Sequence, residues 1–511
     1  MWRSAYYDSV TLMRLTRDLG ALPGVARAAA MMGTPANRSL LDHAGLLTAE
    51  GATAAPTDVV VAVAAADESV ARAAEVAART ALTAPPVKSG TGGRVRPRTL
   101  ASALRALPDA TLALVSVPGV YAGAEAAKAL RAGLHVMLFS DNVPVATEVE
   151  LKRVAAGRGL FLMGPDCGTA IIDGVPLGFA NAVPRGRIGI AAASGTGLQE
   201  VSCLIAREGE GVSHAIGVGG SDLTDAVGGL MMTQALVALA EDPATTVIAV
   251  VGKPPGPTTA AGLAVRIAAL AKPCVAHFVG PGAPSLPGLP AVRSLEECAR
   301  AAVALARGEP RPAPVDFTLP DGEVSRLVAH AARGLAPDQR FVRGIYSGGT
   351  LAWEALALLG AALGDVAADV MGQGHGHRVV DLGDDVFTVG RPHPMIDGTV
   401  RRERILEEAA DPSTAVLLLD VVLGHGAHLD PAGELLPALQ AARAQAERRG
   451  RALAIVAGVT GVDADPQRRP AQVAKLAAHG VLVMPSNAQA ARLTARIALA
   501  ASGARRGAAS S

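Results

Sequence analysis

Aromatic side chains are scarce, 3% of the chain. The interior must therefore be filled by Ala, Gly, Val and Leu, which suits closely packed helix-on-sheet layers. A surplus of one charge is missing too: 47 basic against 46 acidic residues leave a formal +1. That balance excludes the electrostatic footprint of a nucleic-acid binder. Cysteine is sparse, and Cys167, Cys203, Cys274 and Cys298 show no CxxC or CxxH spacing, so reduced thiols are expected rather than a zinc knuckle or disulfide framework. Mean hydropathy is +0.32, yet Asp, Arg, Gly or Pro interrupts every apolar stretch before the ~20 residues of a spanning helix. The N-terminus, MWRSAYYDSVTLMRLTRDLG, lacks an apolar core followed by a small-residue cleavage site. A cytoplasmic protein with no membrane or nucleic-acid partner is the expectation.

What is present is βα rhythm. At 511 residues, three or four domains are expected. Residues 9–19 predict an amphipathic helix and 25–32 a strand, an α+β entry segment. Residues 58–63 then predict a buried strand, 67–82 a helix, and 84–98 an exposed loop. From residue 99 helices and strands alternate through Leu160–Met163, as in a doubly wound parallel sheet. A second unit opens at Arg187, with strands expected at 214–218, 246–251 and 273–279. The proline-rich stretch 307–322 ends it. A third opens at Phe341, with strands expected near 385–389, 415–422, 452–457 and 481–484. The last two units share an order: strand, SG turn with Thr, helix, Gly-rich loop, then Asp-Pro before an apolar strand (Asp242-Pro243, Asp411-Pro412).

Gly-rich turns between a buried strand and a helix present backbone N–H groups at the positive end of a helix dipole, a setting for phosphate or carboxylate. Three qualify: Ser194-Gly195-Thr196-Gly197, Ser347-Gly348-Gly349-Thr350 and Gly424-His425-Gly426-Ala427-His428. Gly219-Gly220-Ser221-Asp222 follows a strand and either presents amides and a carboxylate to the same cleft or is a wide turn. Cys167 sits where open α/β sheets place ligands, but no nearby His serves as its base, and an inert buried thiol is the plainer reading. His375, His377 and His393 lie near Asp384, Asp385 and Asp397. No zinc spacing fits, so a polar lip of His393 and Arg391 holding an anionic substrate is preferred to a metal. Arg391 and Arg401 are candidates for carboxylate forks.

The run GPDCGTAIIDGVPLGFANAVPRGRIGIAAASGTGLQEVSCLI, with IGVGGSDLTDAVGGLMM, YDSVTLMRLTRDLGALPGVARAAAMMGTP and GRPHPMIDGTVRRERILEEAADPSTAVLLLDVVLGHGAHLDPAGEL, resembles the FdrA family over nearly the whole chain. That family in turn is similar to succinyl-CoA synthetase. The resemblance implies a small α+β segment (1–55), a Rossmann-like CoA-binding-type domain (56–185), a flavodoxin-like α-subunit-type domain (186–310) and a flavodoxin-like domain of the β-subunit carboxy-terminal type (323–500), while the small, polar tail ASGARRGAASS (501–511) is expected to be disordered from its composition. The resemblance also implies that helices after Ser194-Gly195-Thr196 and after Gly424-His425-Gly426 point their N-termini at one phosphate. Departures matter as much. The phosphohistidine loop is replaced by HFVGPGAPSLPGLPAVRSL, and Lys253 stands where the histidine's partnering glutamate would be. The first Gly-rich CoA loop is replaced by Ala64-Ala65-Ala66-Asp67-Glu68-Ser69, and no nucleotide-binding domain is recognised. The resemblance implies a subunit of oxamate carbamoyltransferase, converting oxalurate and phosphate to oxamate and carbamoyl phosphate, with phosphate as substrate, CoA possible and partner subunits expected. Lys253 would stabilise developing charge, and His425 or His428 would act as acid or base or merely be a polar residue at a helix start. The alternatives are an acyl-CoA synthetase working with a separate nucleotide-binding chain, and a non-catalytic scaffold subunit.

Overall fold

The computed structural model describes residues 1–3, 5, 7, 9–83, 97–280, 283–284, 286–289, 291–368, 376–388 and 392–508. The chain divides into two units: residues 1–109 with 385–392, and residues 110–384 with 393–511.

The first unit contains α1 (Ser9–Gly20), β1 (Val25–Met32), α2 (Pro35–His43), α3 (Ala49–Ala52), β2 (Val59–Ala65), α4 (Glu68–Thr83) and α5 (Leu100–Ala106). β1 and β2 pair antiparallel, from Met32 opposite Val59 to Val25 opposite Ala65. Successive residues face opposite sides of a strand. Accordingly Ala30 and Val59 pack with Leu12, Leu15 and Leu19 of α1 and Ala74 and Ala78 of α4, while Ala29 and Val60 pack with Leu41, Leu46 and Ala54. This corrects the expected boundary at 55/56. The strand at 59–65 pairs with its equally apolar predecessor β1, not with a parallel sheet, and α4 and α5 go with it. Most of the loop expected at 84–98 lies outside the described residues.

The second unit begins with a three-stranded parallel sheet: β3 (Leu112–Val115), α6 (Gly119–Arg131), β4 (His135–Leu138), α7 (Val145–Gly157) and β5 (Leu162–Met163), in the order β3-β4-β5. A hairpin follows, β6 (Thr169–Ile172) and β7 (Val175–Gly178), turning at Asp173 and Gly174, both with positive φ, as a two-residue hairpin requires. The hairpin joins the next sheet through β6, where Ile171 pairs with Ala215 of the strand Val212–Gly217, so the boundary expected at 185/186 also falls within a folded layer.

The first flavodoxin-like half comprises β8 (Arg185–Ala193), α8 (Gly195–Arg207), β9 (Val212–Gly217), α9 (Leu230–Glu241), β10 (Val247–Gly252), α10 (Pro257–Ala268), β11 (Cys274–Phe278) and α11 (Leu295–Arg307). After α12 (Asp321–Ala332), the second half comprises β12 (Phe341–Tyr346), α13 (Gly349–Leu363), β13 (Val366–Ala368), β14 (His377–Asp381), the short α14 (Asp385–Thr388) of the first unit, α15 (Thr399–Ala410), β15 (Thr414–Val422), α16 (Pro431–Glu447), β16 (Ala454–Thr460), α17 (Arg469–Ala478), β17 (Leu482–Met484) and α18 (Asn487–Ala508). The sheet orders are β11-β10-β8-β9-β6-β7 and β13-β14-β12-β15-β16-β17. Both contain the flavodoxin order 2-1-3-4, so β8, β9, β10 and β11 correspond to β12, β14, β15 and β16. Of the strand expected near 385–389, residues 385–388 form α14 instead and 389 lies outside the described residues, while the strand lies earlier at 377–381. The tail expected to be disordered from 501 is helical through Ala508, and 509–511 lie outside the described residues.

One apolar core runs through both halves, from Ile188, Val201 and Val251 to Val342, Leu351, Leu418 and Ile497. Within it, two buried carboxylates exchange places. Glu200 on α8 accepts from the Asn487 amide at the start of α18 at 3.0 Å, and Glu354 on α13 accepts from the Leu295 amide at the start of α11 at 2.7 Å. Ser294 and Ser486 occupy matching positions before those helices, each accepting from the amide three residues on. The first helix of each half thus caps the last helix of the other.

Candidate functional site

α8 starts at Ser194, whose side chain accepts from the Gly197 amide at 2.9 Å as an N-cap. α13 starts at the equivalent turn of the second half. The two starts touch: Ser194 Oγ and Thr350 Oγ1 are 2.6 Å apart. Glycine is required on both sides, because a Cβ on Gly348 would lie 2.9 Å from Thr196 Cγ2 and one on Gly197 3.0 Å from Thr350 Cγ2.

The two ends differ in what satisfies them. At α13, Asp420 of β15 accepts from the amides of Ser347 at 2.9 Å and Gly348 at 2.7 Å and from Ser347 Oγ, and is held by Arg401 at 2.6 Å. Asp420 is 1% exposed. Asp381, at the end of β14, presses on the same turn: a Cβ on Gly349 would lie 2.5 Å from its Oδ2. At α8 no carboxylate of the described residues bonds the first amides. The amides of Gly195 and Thr196, the first two of the helix, have no intrahelical acceptor and are half-buried. Lys253, exposed at the end of β10, holds its ammonium 5.4 Å from the Trp353 ring centre and has no carboxylate within 4.0 Å among the described residues.

Burial pushes Asp381 up to about 6, against the opposing influence of the Gly383 amide, which donates to it at 2.9 Å, and of Lys253. Gly383 links this carboxylate to His393, since a Cβ there would lie 3.0 Å from His393 Nε2. Burial lowers His393 to about 4, so its ring is neutral near pH 7. Its Nδ1 accepts from the Met395 amide at 3.2 Å, and its ring tilts against Phe179 at 5.7 Å.

The third expected anion turn is arranged differently. Gly424 has φ +124° and lies so close to the chain that a Cβ would stand 2.6 Å from the Phe179 carbonyl, while the His425 amide donates to the Ala180 carbonyl at 2.9 Å. Gly426 also packs on residues 178–179. α16 starts only at Pro431, and its N-cap is Asp430, which accepts from Gly433 at 3.1 Å and pairs with Lys475. The turn is therefore not itself a helix start. His425 is exposed, and His428 Nδ1 accepts from the Asp430 amide at 3.0 Å.

Other expected residues are placed elsewhere. Gly219 lies with φ +87° against Pro165, and beside it and Gly220, Asp222 is wholly buried, bonding Lys152 at 2.7 Å and capping α9 through the amides of Met231 and Met232. Its carboxylate serves the packing between α7 and α9 and does not open to a cleft, because burying Lys152 demands a paired charge. Burial raises Cys167 to about 12, which makes it inert as a nucleophile. His377 Nδ1 accepts from the Val342 amide at 3.1 Å. His375 and Arg391 lie outside the described residues. Arg401 does form a carboxylate contact, but to the internal Asp420. Asp381 and Asp420 went unnoticed in the sequence. Each is a lone Asp near the C-terminal end of an apolar strand, RVVD and LLLDVV, a signal that was available.

Two flavodoxin-like halves abut at their first helix starts, preceded by a small parallel sheet, in an α/β architecture, and the CoA-ligase family model matches residues 345–497, within the second half. Escherichia coli (strain K12) YahF, an uncharacterised protein, is 39% identical over 501 residues, 95% of each chain, and this chain belongs to the same family. The α subunit of ADP-forming succinate–CoA ligase from Staphylococcus aureus is 29% identical over 34% of this chain and 58% of that subunit. Among solved structures, the apo dinucleotide-forming acetyl-coenzyme A synthetase 1 of Ca. Korarchaeum cryptofilum covers 78% of this chain and 84% of its own at 16% identity, with a TM-score of 0.33, too low to carry an argument. A second family model, described as AllF, heavy metal-associated domain, matches residues 2–97. The residues there do not fit a heavy metal, since the segment contains no cysteine and a single histidine, His43. No cluster of three or more His, Cys, Asp or Glu side chains suited to a metal occurs among the described residues. No helix among them is long and apolar enough to cross a membrane.

Proposed function

We propose that this chain is the acyl-phosphate-handling component of a CoA-ligase-type enzyme, an acid–thiol ligase working with a separate nucleotide-binding chain. The observation that carries the reading is the meeting of the α8 and α13 starts from two matched halves, with Lys253 directly after Gly252, the strand partner of Ala193 that leads into the open start. Phosphate would lie on the Gly195 and Thr196 amides and Lys253, where the helix dipole and the ammonium favour the charge on its oxygens. No phosphohistidine is assigned: His277 lies within β11, and burial holds its ring neutral, at about 4. CoA supplies the thiol that receives the acyl group. The C-terminal edge of the β3–β5 sheet suits it, with α6 and α7 starting after Pro118 and Pro144 and Val120 and Tyr121 81% and 55% exposed.

One observation favours a second reading, the FdrA-type carbamoyl transfer in which oxalurate and phosphate give oxamate and carbamoyl phosphate. The segment Ala64–Ser69, where the resemblance puts a Gly-rich loop that would cradle the CoA diphosphate, has no glycine. In this reaction a phosphate oxygen attacks the carbamoyl carbon, the C–N bond breaks, and the departing nitrogen takes the proton that the phosphate gives up, directly or through His425 or His428. The deciding experiment supplies the purified chain, with and without co-purifying partners, with oxalurate and phosphate in one set of tubes and with a carboxylic acid, ATP and CoA in another. CoA thioester formed only with ATP and CoA establishes the ligase. Carbamoyl phosphate formed without either establishes the transferase, and neither product from the full complex leaves a scaffold subunit.

A further inference from the structure

The α13 start carries two carboxylates that are held very differently. Asp420 is committed, buried in a bonded pair with Arg401 and donated to by two amides. Asp381 is half-buried, accepts from the Gly383 amide and directs Oδ2 at Gly349, and it feels the charge of Lys253, whose ammonium has no carboxylate within 4.0 Å among the described residues. The groups that face Asp381 come from four segments: Lys253 after β10, Asp420 in β15, Asp384 on its own turn, and His393 ahead of α15. With Asp381 ionised, and Asp420 already paired with Arg401, a phosphate at the adjoining α8 start would add another anion next to Asp381 and Asp384, which Lys253 faces as the counter-charge.

We propose that Asp381 sets the charge of this site, so that a phosphate or acyl phosphate enters with Asp381 protonated and its carboxyl donates a hydrogen bond to one oxygen while Lys253 holds another. The proposal rests on the acyl-phosphate reading and adds the residue that controls it. Burial places the titration of Asp381 at about 6, so anion uptake strengthens as pH falls from 7.5 toward 5.5 and takes up a proton. His393, titrating at about 4, does not contribute in that range.

The test uses the full chain and inorganic sulfate, which carries no proton between pH 5.5 and 7.5, with inorganic phosphate alongside. Calorimetry of the wild type, Asp381→Asn and Lys253→Met at three pH values gives affinities. Wild-type sulfate affinity should fall on the order of tenfold or more across that range. Asp381→Asn should bind as tightly at pH 7.5 as the wild type at 5.5, without pH dependence, and Lys253→Met should weaken binding at every pH while keeping the slope. A wild-type slope in Asp381→Asn overturns the role of Asp381 and leaves the anion site standing. Absence of sulfate and phosphate binding at every pH, in wild type and variants alike, overturns the acyl-phosphate reading with it. Should Asp381→Asn not fold, wild-type titration in two buffers of different ionisation enthalpy decides: uptake of close to one proton per sulfate near pH 7 supports the proposal, and no uptake overturns it.

Discussion

The two flavodoxin-like halves share strand order, an SG turn before the first helix and an Asx turn before the third strand, where Asp242 accepts from the Ala244 amide and Asp411 from that of Ser413. Yet their first helix starts are opposite in charge. Among the described residues the first half leaves α8 open, with Lys253 one residue past the strand partner of Ala193, whereas the second fills α13 with Asp420 and Asp381. Duplicated architecture repeats a place for an anion, and the side chains of neighbouring strands decide whether that anion is a ligand or the protein's own carboxylate.

The largest effect should come from emptying the filled end. Asp420→Ala leaves Arg401 as an uncompensated buried cation and should lower stability by about 3–5 kcal/mol, read from the urea midpoint. Next is the crossed capping. Burial raises Glu354 from an ordinary 4.5 to about 7. A carboxyl raised in the folded state contributes stability that is present below its unfolded value and lost as pH climbs through the folded one. Wild-type stability should therefore fall between about pH 4.5 and 7, and Glu354→Gln should remove about 1–3 kcal/mol of that fall in denaturant titrations across the window. Ser194→Ala removes an N-cap and the partner of Thr350, and should cost about 1 kcal/mol in the same assay. Lys253→Met, at an exposed position, should change stability by less than about 0.5 kcal/mol while weakening phosphate binding, a contrast no purely structural residue would give. Smallest of all is the first unit's response to zinc or copper: no specific binding in a titration of the full chain, given its lack of thiols in residues 1–109.

Much of this was legible along the chain. The strands at 187–193, 247–252 and 414–422 read as continuous apolar runs because both faces of a parallel sheet are covered. The turns at Ser194 and Ser347 read as helix starts because Ser, Gly and Thr are what such starts need. Strand 377–381 was missed because His377 and Arg378 disguise an apolar core, the arginine being buried against Glu408. The Asp173-Gly174 hairpin carries its own Asp-Gly turn signal, yet no strand is expected between 163 and 187. The turn at Gly424 read as an anion site because glycine serves two purposes. Here it admits the Phe179 carbonyl, a partner about 245 positions away in sequence.

Sequence alone determined the α/β class, the tandem halves and the helix starts, because periodicity, capping and glycine requirements are local and act within a few residues. Tertiary structure decided which strand pairs with which, so that β2 turned back on β1 and the expected domain boundary moved. It also decided which carboxylate meets which helix. Asp420 and Asp381 reach α13, and Glu200 and Glu354 cross between halves, only after strands and helices distant in sequence are packed together. Electrostatics acts through space at a few ångströms, and no spacing along the chain encodes that distance.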